Sequence, residues 1–224
     1  MLSDHAAKLG TSQNGEDGAI GFLLERIGET NRFCVEFGAG DGKIDSNTWF
    51  LRERGWASVL LDGAARGPGV IQQRLTAENI NDVFTNCGVP KTIDLLSIDV
   101  DGNDYWIWRA LDQDRFRARI VVIEFNPHVP SGTAIAIQYN PDHQWDGTAY
   151  YGGSLTAMER LGTSRGYRLV GTVCVNAFFV LDEIAESAGL ERTTAQIVHP
   201  TPVYFHPVDM MHRPWIWLDQ RMDS

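Results

Sequence analysis

Apolar positions recur along this chain in two rhythms. Ile20, Leu23, Leu24 and Ile27 stand at i, i+3, i+4 and i+7, the spacing of one helical face, and predict a helix over residues 15–27. Short apolar runs at 33–37, 57–61 and 93–99 read as strands instead. Residues 119–125 contain Ile120-Val121-Val122-Ile123, a β-branched run expected of a strand buried on both faces. Helices are predicted at 47–54, closed by Gly55, and at 79–87, stopped by Gly88 and Pro90. Another is predicted at 104–111, with Asn103 as its N-cap. Residues 70–75 fit either a short helix or the lead into a further strand. Ser154 caps a helix reaching about residue 165, and 167–175 with 177–181 read as an antiparallel hairpin.

Strands that alternate with helices predict an α/β fold with a doubly wound, mostly parallel sheet, here ending in an antiparallel hairpin. Right-handed crossovers bring the carboxyl ends of the parallel strands to one edge, where open α/β sheets bind ligands. Glu36 and Asp41, Asp62, Asp99 and Asp101, and Glu124 all fall on or just after such ends. The connection over 126–153 is long and polar, and loops beyond ~15 residues are usually lids or binding segments. It reads as a lid that meets substrate through Asn126, Tyr150 and Tyr151. The alternative is a packed surface loop anchored by Trp145, Tyr150 and Tyr151. The tail over 199–217 carries Pro200, Pro202, Pro207 and Pro214 among Tyr204, Phe205, Trp215 and Trp217. It is expected to wrap over the core or over a partner subunit in a homodimer. The whole reads as one domain over 1–224: a helical cap over 1–30, a core over 31–182 and a tail over 183–224.

Composition narrows the partners. The 224 residues include 29 acidic and 19 basic side chains, for a net charge of −10. An acidic chain without a Lys/Arg cluster is not expected to bind nucleic acid or an anionic membrane. Cys34, Cys87 and Cys174 have neither disulfide nor zinc spacing and read as core thiols of a reducing compartment. Met1-Leu2-Ser3-Asp4-His5 lacks the basic and apolar parts of a signal peptide. No apolar run approaches the ~20 residues of a membrane span. A cytoplasmic protein acting on a small molecule is the expectation.

The chemistry concentrates in Phe33-Cys34-Val35-Glu36-Phe37-Gly38-Ala39-Gly40-Asp41-Gly42, a strand running into a glycine turn. Glycine admits positive φ and close approach of a ligand to backbone. Asp62 lies 20 residues beyond Gly42, near the ~20-residue spacing at which an acid meets a ribose in nucleotide-binding βαβ units. The turn is not G-x-G-x-x-G, and Asp41 would repel a pyrophosphate. Both departures disfavour NAD and favour a nucleoside with a cationic group, held by Glu36 and Asp41 at the cation and Asp62 at the ribose.

These residues carry a resemblance. Residues 33–42, Asn47-Thr48, Gly55-Trp56 and 60–63 resemble the cofactor half of class I S-adenosylmethionine-dependent methyltransferases. Ser12-Gln13-Asn14-Gly15-Glu16-Asp17, Ile98-Asp99-Val100-Asp101-Gly102, Ile123-Glu124-Phe125, Gly166-Tyr167 and Asn176-Ala177-Phe178-Phe179 are similar, more narrowly, to the FkbM-like group. The resemblance spans about residues 12–181. It implies a Rossmann-like core and S-adenosylmethionine as cofactor, touched by Glu36, Gly38, Gly40 and Asp62, with Gln13 and Asp17 folding over it. Asp41, Gly63 and Asp99 complete the expected cofactor set. FkbM-type chains more often carry Asp-x-Glu-Gly at the fourth strand; here Asp99-Val100-Asp101-Gly102 presents a shorter second acid.

Asp99, Asp101, Glu124 and His128 are the candidate catalytic groups, able to orient an acceptor or take its proton. The less favoured alternative gives Asp99, Asp101 and Glu124 or Asn126 to Mg²⁺ or Ca²⁺ as oxygen ligands; helix capping is the structural one. The expected reaction is methyl transfer to an oxygen or nitrogen. The same fold can host other uses of that cofactor, such as aminocarboxypropyl transfer or cyclisation, or noncatalytic binding.

Overall fold

The computed structural model describes residues 1–64, 66–201 and 205–218. Ala65 of the turn after the second strand, and Pro202 and Tyr204 of the tail, lie outside the described residues. The strands are β1 (Phe33–Phe37), β2 (Ala57–Asp62), β3 (Val70–Gln72), β4 (Thr92–Ile98), β5 (Arg117–Glu124), β6 (Ile135–Ile137), β7 (Tyr167–Val173), β8 (Asn176–Leu181) and β9 (Trp215–Trp217). The helices are α1 (Glu16–Ile27), α2 (Trp49–Arg52), α3 (Ile80–Asn86), α4 (Asp104–Ala110), α5 (Leu155–Ser164), α6 (Asp182–Ser187) and α7 (Ala195–Val198).

Seven strands form one sheet in the order β3-β2-β1-β4-β5-β8-β7. The first five run parallel, β8 runs antiparallel to β5, and β7 pairs antiparallel with β8. This is the expected doubly wound α/β sheet with its hairpin at one edge. Successive residues of a strand face opposite sides, so β5 feeds two cores. Val121 and Ile123 pack with α3, α4 and α5 through Phe84, Trp108 and Met158. Ile120 and Val122 pack with α1 and α2 through Ile20, Leu23 and Leu51. A strand between two apolar layers needs no polar face, which explains its continuous β-branched run.

The structure settles some local expectations and corrects others. Residues 70–72 are strand, pairing with the end of β2. Helix α2 is four residues long because residues 46–48 are held by a strand carboxylate instead of joining the helix. The N-cap of α1 is Gly15, with φ 90°. Asn103 is the N-cap of α4 without a side-chain cap bond. The Asp104 carboxylate instead accepts the Val100 and Gly102 amides, at 2.8 and 2.9 Å. The tail carries two short helices and β9, and β9 pairs antiparallel with β6 in a second small sheet. The tail therefore lies over its own chain. Among the described residues no helix is long and apolar enough to cross a membrane.

Candidate functional site

The carboxyl ends of β1, β2, β4 and β5 open into a cleft of about 750 Å³. Its floor is set by close backbone approach. Gly38 has φ 68°, and a Cβ there would collide with the Asp99 carbonyl oxygen. Only glycine lets β1 and β4 end side by side in this way. Gly40 has φ 56°, but a Cβ on it would meet open space, so its free side is available to a ligand. The Asp62 carboxylate clasps the turn: it accepts the Gly40 amide at 2.8 Å and the Ala64 amide at 2.6 Å. Gly38, Gly40, Asp62, Gly63 and Gln13 all line the cleft.

Three expected cofactor residues lie elsewhere. Glu36 is buried and faces the loop before α2, accepting the Asn47 amide and the Ser46 and Thr48 hydroxyls at 2.5–2.7 Å. A carboxylate inside an apolar strand is thereby satisfied, and it does not line the cleft. The Asp41 carboxylate turns back onto the Ile44 and Lys43 amides, which hold it below its ordinary value. Asp17 is fully buried and binds the Gly10 amide and the Ser12 hydroxyl, both at 2.6 Å. It pins the N-terminal segment; Gln13 alone of that predicted pair reaches the cleft.

The predicted catalytic acids do converge. Asp99, Asp101 and Glu124 offer carboxylate oxygens that all lie within 4.8 Å of one another. Burial, and then the charges of Asp101 and Asp104, push Asp99 well above the usual carboxylate range. Burial and then Asp99 do the same to Glu124. Asp101 has φ 55°, an uncommon backbone state for an aspartate. Burial also raises Asp104, to about 6, while its two backbone bonds shape the turn that carries Asp101.

The long loop reaches the cleft through one of the three residues expected. Tyr151 lines it, but Asn126 and Tyr150 do not. Asn126 is fully buried and donates to the Ala149 and Tyr151 carbonyls at 2.9 and 3.0 Å, so it splints the loop. The Tyr150 hydroxyl donates to the Pro214 carbonyl and accepts the Gln138 amide, tying loop to tail. His128 also lies off the cleft, its ring 5.3 Å from that of His206. His143, to which no role was assigned, lines the cleft instead, seated over Gly102 so closely that a Cβ there would meet its ring. Burial and then Arg213 lower the His143 pKa.

The residue reading missed Glu16, Asn103, His143 and Asn176 as cleft residues. Glu16 and Asn176 are 160 positions apart and joined by an Asn176 Nδ2–Glu16 Oε1 bond of 3.1 Å, a contact no local pattern reveals. Their signal was present only as members of the motifs that carry the resemblance. Acids dominate the lining: Glu16, Asp45, Asp62, Asp99, Asp101 and Glu124 stand against Arg66 and Arg74.

Neither a protein-family model nor a curated protein matches this chain.

Proposed function

We propose that this protein is a methyltransferase that uses S-adenosylmethionine to modify an oxygen or nitrogen of a small molecule. One observation carries the reading: an acid-lined cleft at the strand ends, with an open glycine turn clasped by Asp62. Dinucleotide sites seat pyrophosphate on a helix N-terminus directly after the glycines. Here the glycines lead into a loop, and α2 begins only at Trp49 and spans four residues. A phosphate-free nucleoside with a positive charge suits such a lining better.

The residues fit that cofactor. The cleft volume of about 750 Å³ falls in the ~300–1,000 Å³ range of small-molecule sites. Gly40 is open on the ligand side, and the Asp62 oxygens keep lone pairs for ribose hydroxyls. When bound, S-adenosylmethionine supplies an electrophilic methyl group on a cationic sulfur. Tyr151, His143 and Trp145 wall the cleft from the loop side and would exclude water from an acceptor. Asp99 and Glu124 line the cleft with their carboxylate oxygens close together, placed to hold an acceptor O–H or N–H.

Isothermal titration calorimetry with S-adenosylmethionine, its demethylated product and NAD tests the reading. Saturable binding of the first two with a stoichiometry of one is expected. Preferential NAD binding would overturn it.

A further inference from the structure

The acid cluster holds more charge than the protein around it neutralises. Among the described residues, no Lys or Arg forms an ion pair with Asp99, Asp101 or Glu124. Glu124 Oε2 is buried and has no hydrogen-bond partner. Three carboxylates within 4.8 Å repel one another strongly at the low effective dielectric of a partly buried site.

A second, independent observation lies beside them. Asn176 is 4% exposed and its Oδ1 accepts nothing, while its Nδ2 is used by Glu16. Asn176 is the cross-strand partner of Glu124 in the β5–β8 ladder, so both side chains rise from the same face of the sheet. Both line the same cleft. Asn103, 5% exposed and also lining the cleft, repeats the pattern: Nδ2 donates to the Asn140 carbonyl and Oδ1 is unpartnered. A buried amide oxygen left without a donor is costly and calls for a partner. Carboxylates and amide oxygens together form the ligand set of a hard divalent cation.

We infer that Asp99, Asp101 and Glu124, with the Asn176 amide oxygen, form a binding site for one divalent cation of the Mg²⁺ or Ca²⁺ class. Four protein oxygens leave about two of the six or more positions such an ion needs for water or an acceptor hydroxyl. The site stands without the cofactor reading. Where that reading also holds, the ion would orient the acceptor oxygen and favour loss of its proton.

The test is a titration of Mn²⁺ into the chelator-treated full chain, followed by electron paramagnetic resonance. One Mn²⁺ per chain is expected, displaced by Mg²⁺ or by Ca²⁺ according to which the site prefers. Glu124→Gln should weaken Mn²⁺ binding at least about tenfold by loss of a charged ligand. Asn176→Ala should weaken it less, and Glu53→Gln, an exposed acid elsewhere, not at all. Thermal melts keep the result interpretable. In chelator, Glu124→Gln should melt no lower than the parent, because a repulsion is removed, and added Mn²⁺ should raise the parent's Tm more than the variant's. No saturable binding by folded protein at concentrations on the order of millimolar, the weak end for such sites, would overturn the inference. So would a Glu124→Gln variant that binds Mn²⁺ as tightly as the parent. If Mn²⁺ fails to bind while S-adenosylmethionine binds, the cation site falls and the cofactor reading stands. Mn²⁺ binding without S-adenosylmethionine binding supports the cation site and removes the cofactor.

Discussion

Asp62 Oδ2 accepts the Gly40 amide at 2.8 Å, tying the end of β2 to the glycine turn after β1. One carboxylate thus shapes the turn while facing the cleft. Asp62→Ala is expected to weaken S-adenosylmethionine binding. The loss of one or two charge-assisted hydrogen bonds, ~1.5–3 kcal/mol each, corresponds to roughly 10–100-fold or more. Calorimetry on protein with an unchanged circular dichroism spectrum checks this, and undiminished affinity would remove Asp62 from the ribose position.

Gly38 and Gly40 should respond differently to alanine. At Gly38 the added methyl meets the Asp99 carbonyl, which is backbone and cannot step aside. Gly38→Ala should cost roughly 2–4 kcal/mol from overpacking and positive φ. At Gly40 the methyl meets open space, so Gly40→Ala should cost only about 1 kcal/mol while obstructing the ligand side of the turn. Urea denaturation separates the two, and equal losses would contradict the geometry.

Asp94 supplies a test outside the cleft. It is fully buried and accepts Arg119 Nη1 at 2.8 Å, the Thr30 hydroxyl, and the amides of Thr30, Asn31 and Arg32. Burial alone would raise its pKa, but the Thr30 hydroxyl, Arg119 and the backbone amides together hold it below the ordinary 3.8. A carboxylate with a depressed folded-state pKa stabilises above its unfolded value, and that stability is lost as pH falls through the folded one. Asp94→Asn should therefore cost roughly 3–5 kcal/mol near neutrality, because Arg119 loses its partner. The gap from the parent should narrow below about pH 4. Denaturant midpoints across pH 3–8 measure it, and a pH-independent gap would refute the role.

Asn126 is expected to matter for the loop more than for the sheet. Asn126→Ala leaves the Ala149 and Tyr151 carbonyls without their donor, a loss of about 1–3 kcal/mol. Hydrogen exchange should quicken over residues 143–153 while β5 stays protected. Uniform loss of protection would show instead that Asn126 supports the whole domain.

Strand runs, helix faces and turn residues were legible in the sequence because they are local. A five-residue apolar run sets β1 at Phe33–Phe37 as expected, and Ser154 caps α5 through the Ala157 amide as its position before an apolar face suggests. The acids after each strand were equally legible, since parallel strands deliver their carboxyl ends to one edge whatever fills the loops. Tertiary structure decided which of those acids face the cleft. Glu36 and Asp62 look alike in sequence, each a lone carboxylate in an apolar run near a strand's carboxyl end. Yet Glu36 is consumed by groups ten to twelve positions ahead, whereas Asp62 keeps one side toward the cleft. His143 lines the cleft and His128 does not, because the Asn126 side chain accepts the His128 amide in a tight turn after β5 and Gly102 leaves room for the His143 imidazole. A side chain's local neighbours determine its helix or strand. Whether its polar atoms are spent on the protein or left for a ligand depends on partners brought together only when the sheet closes.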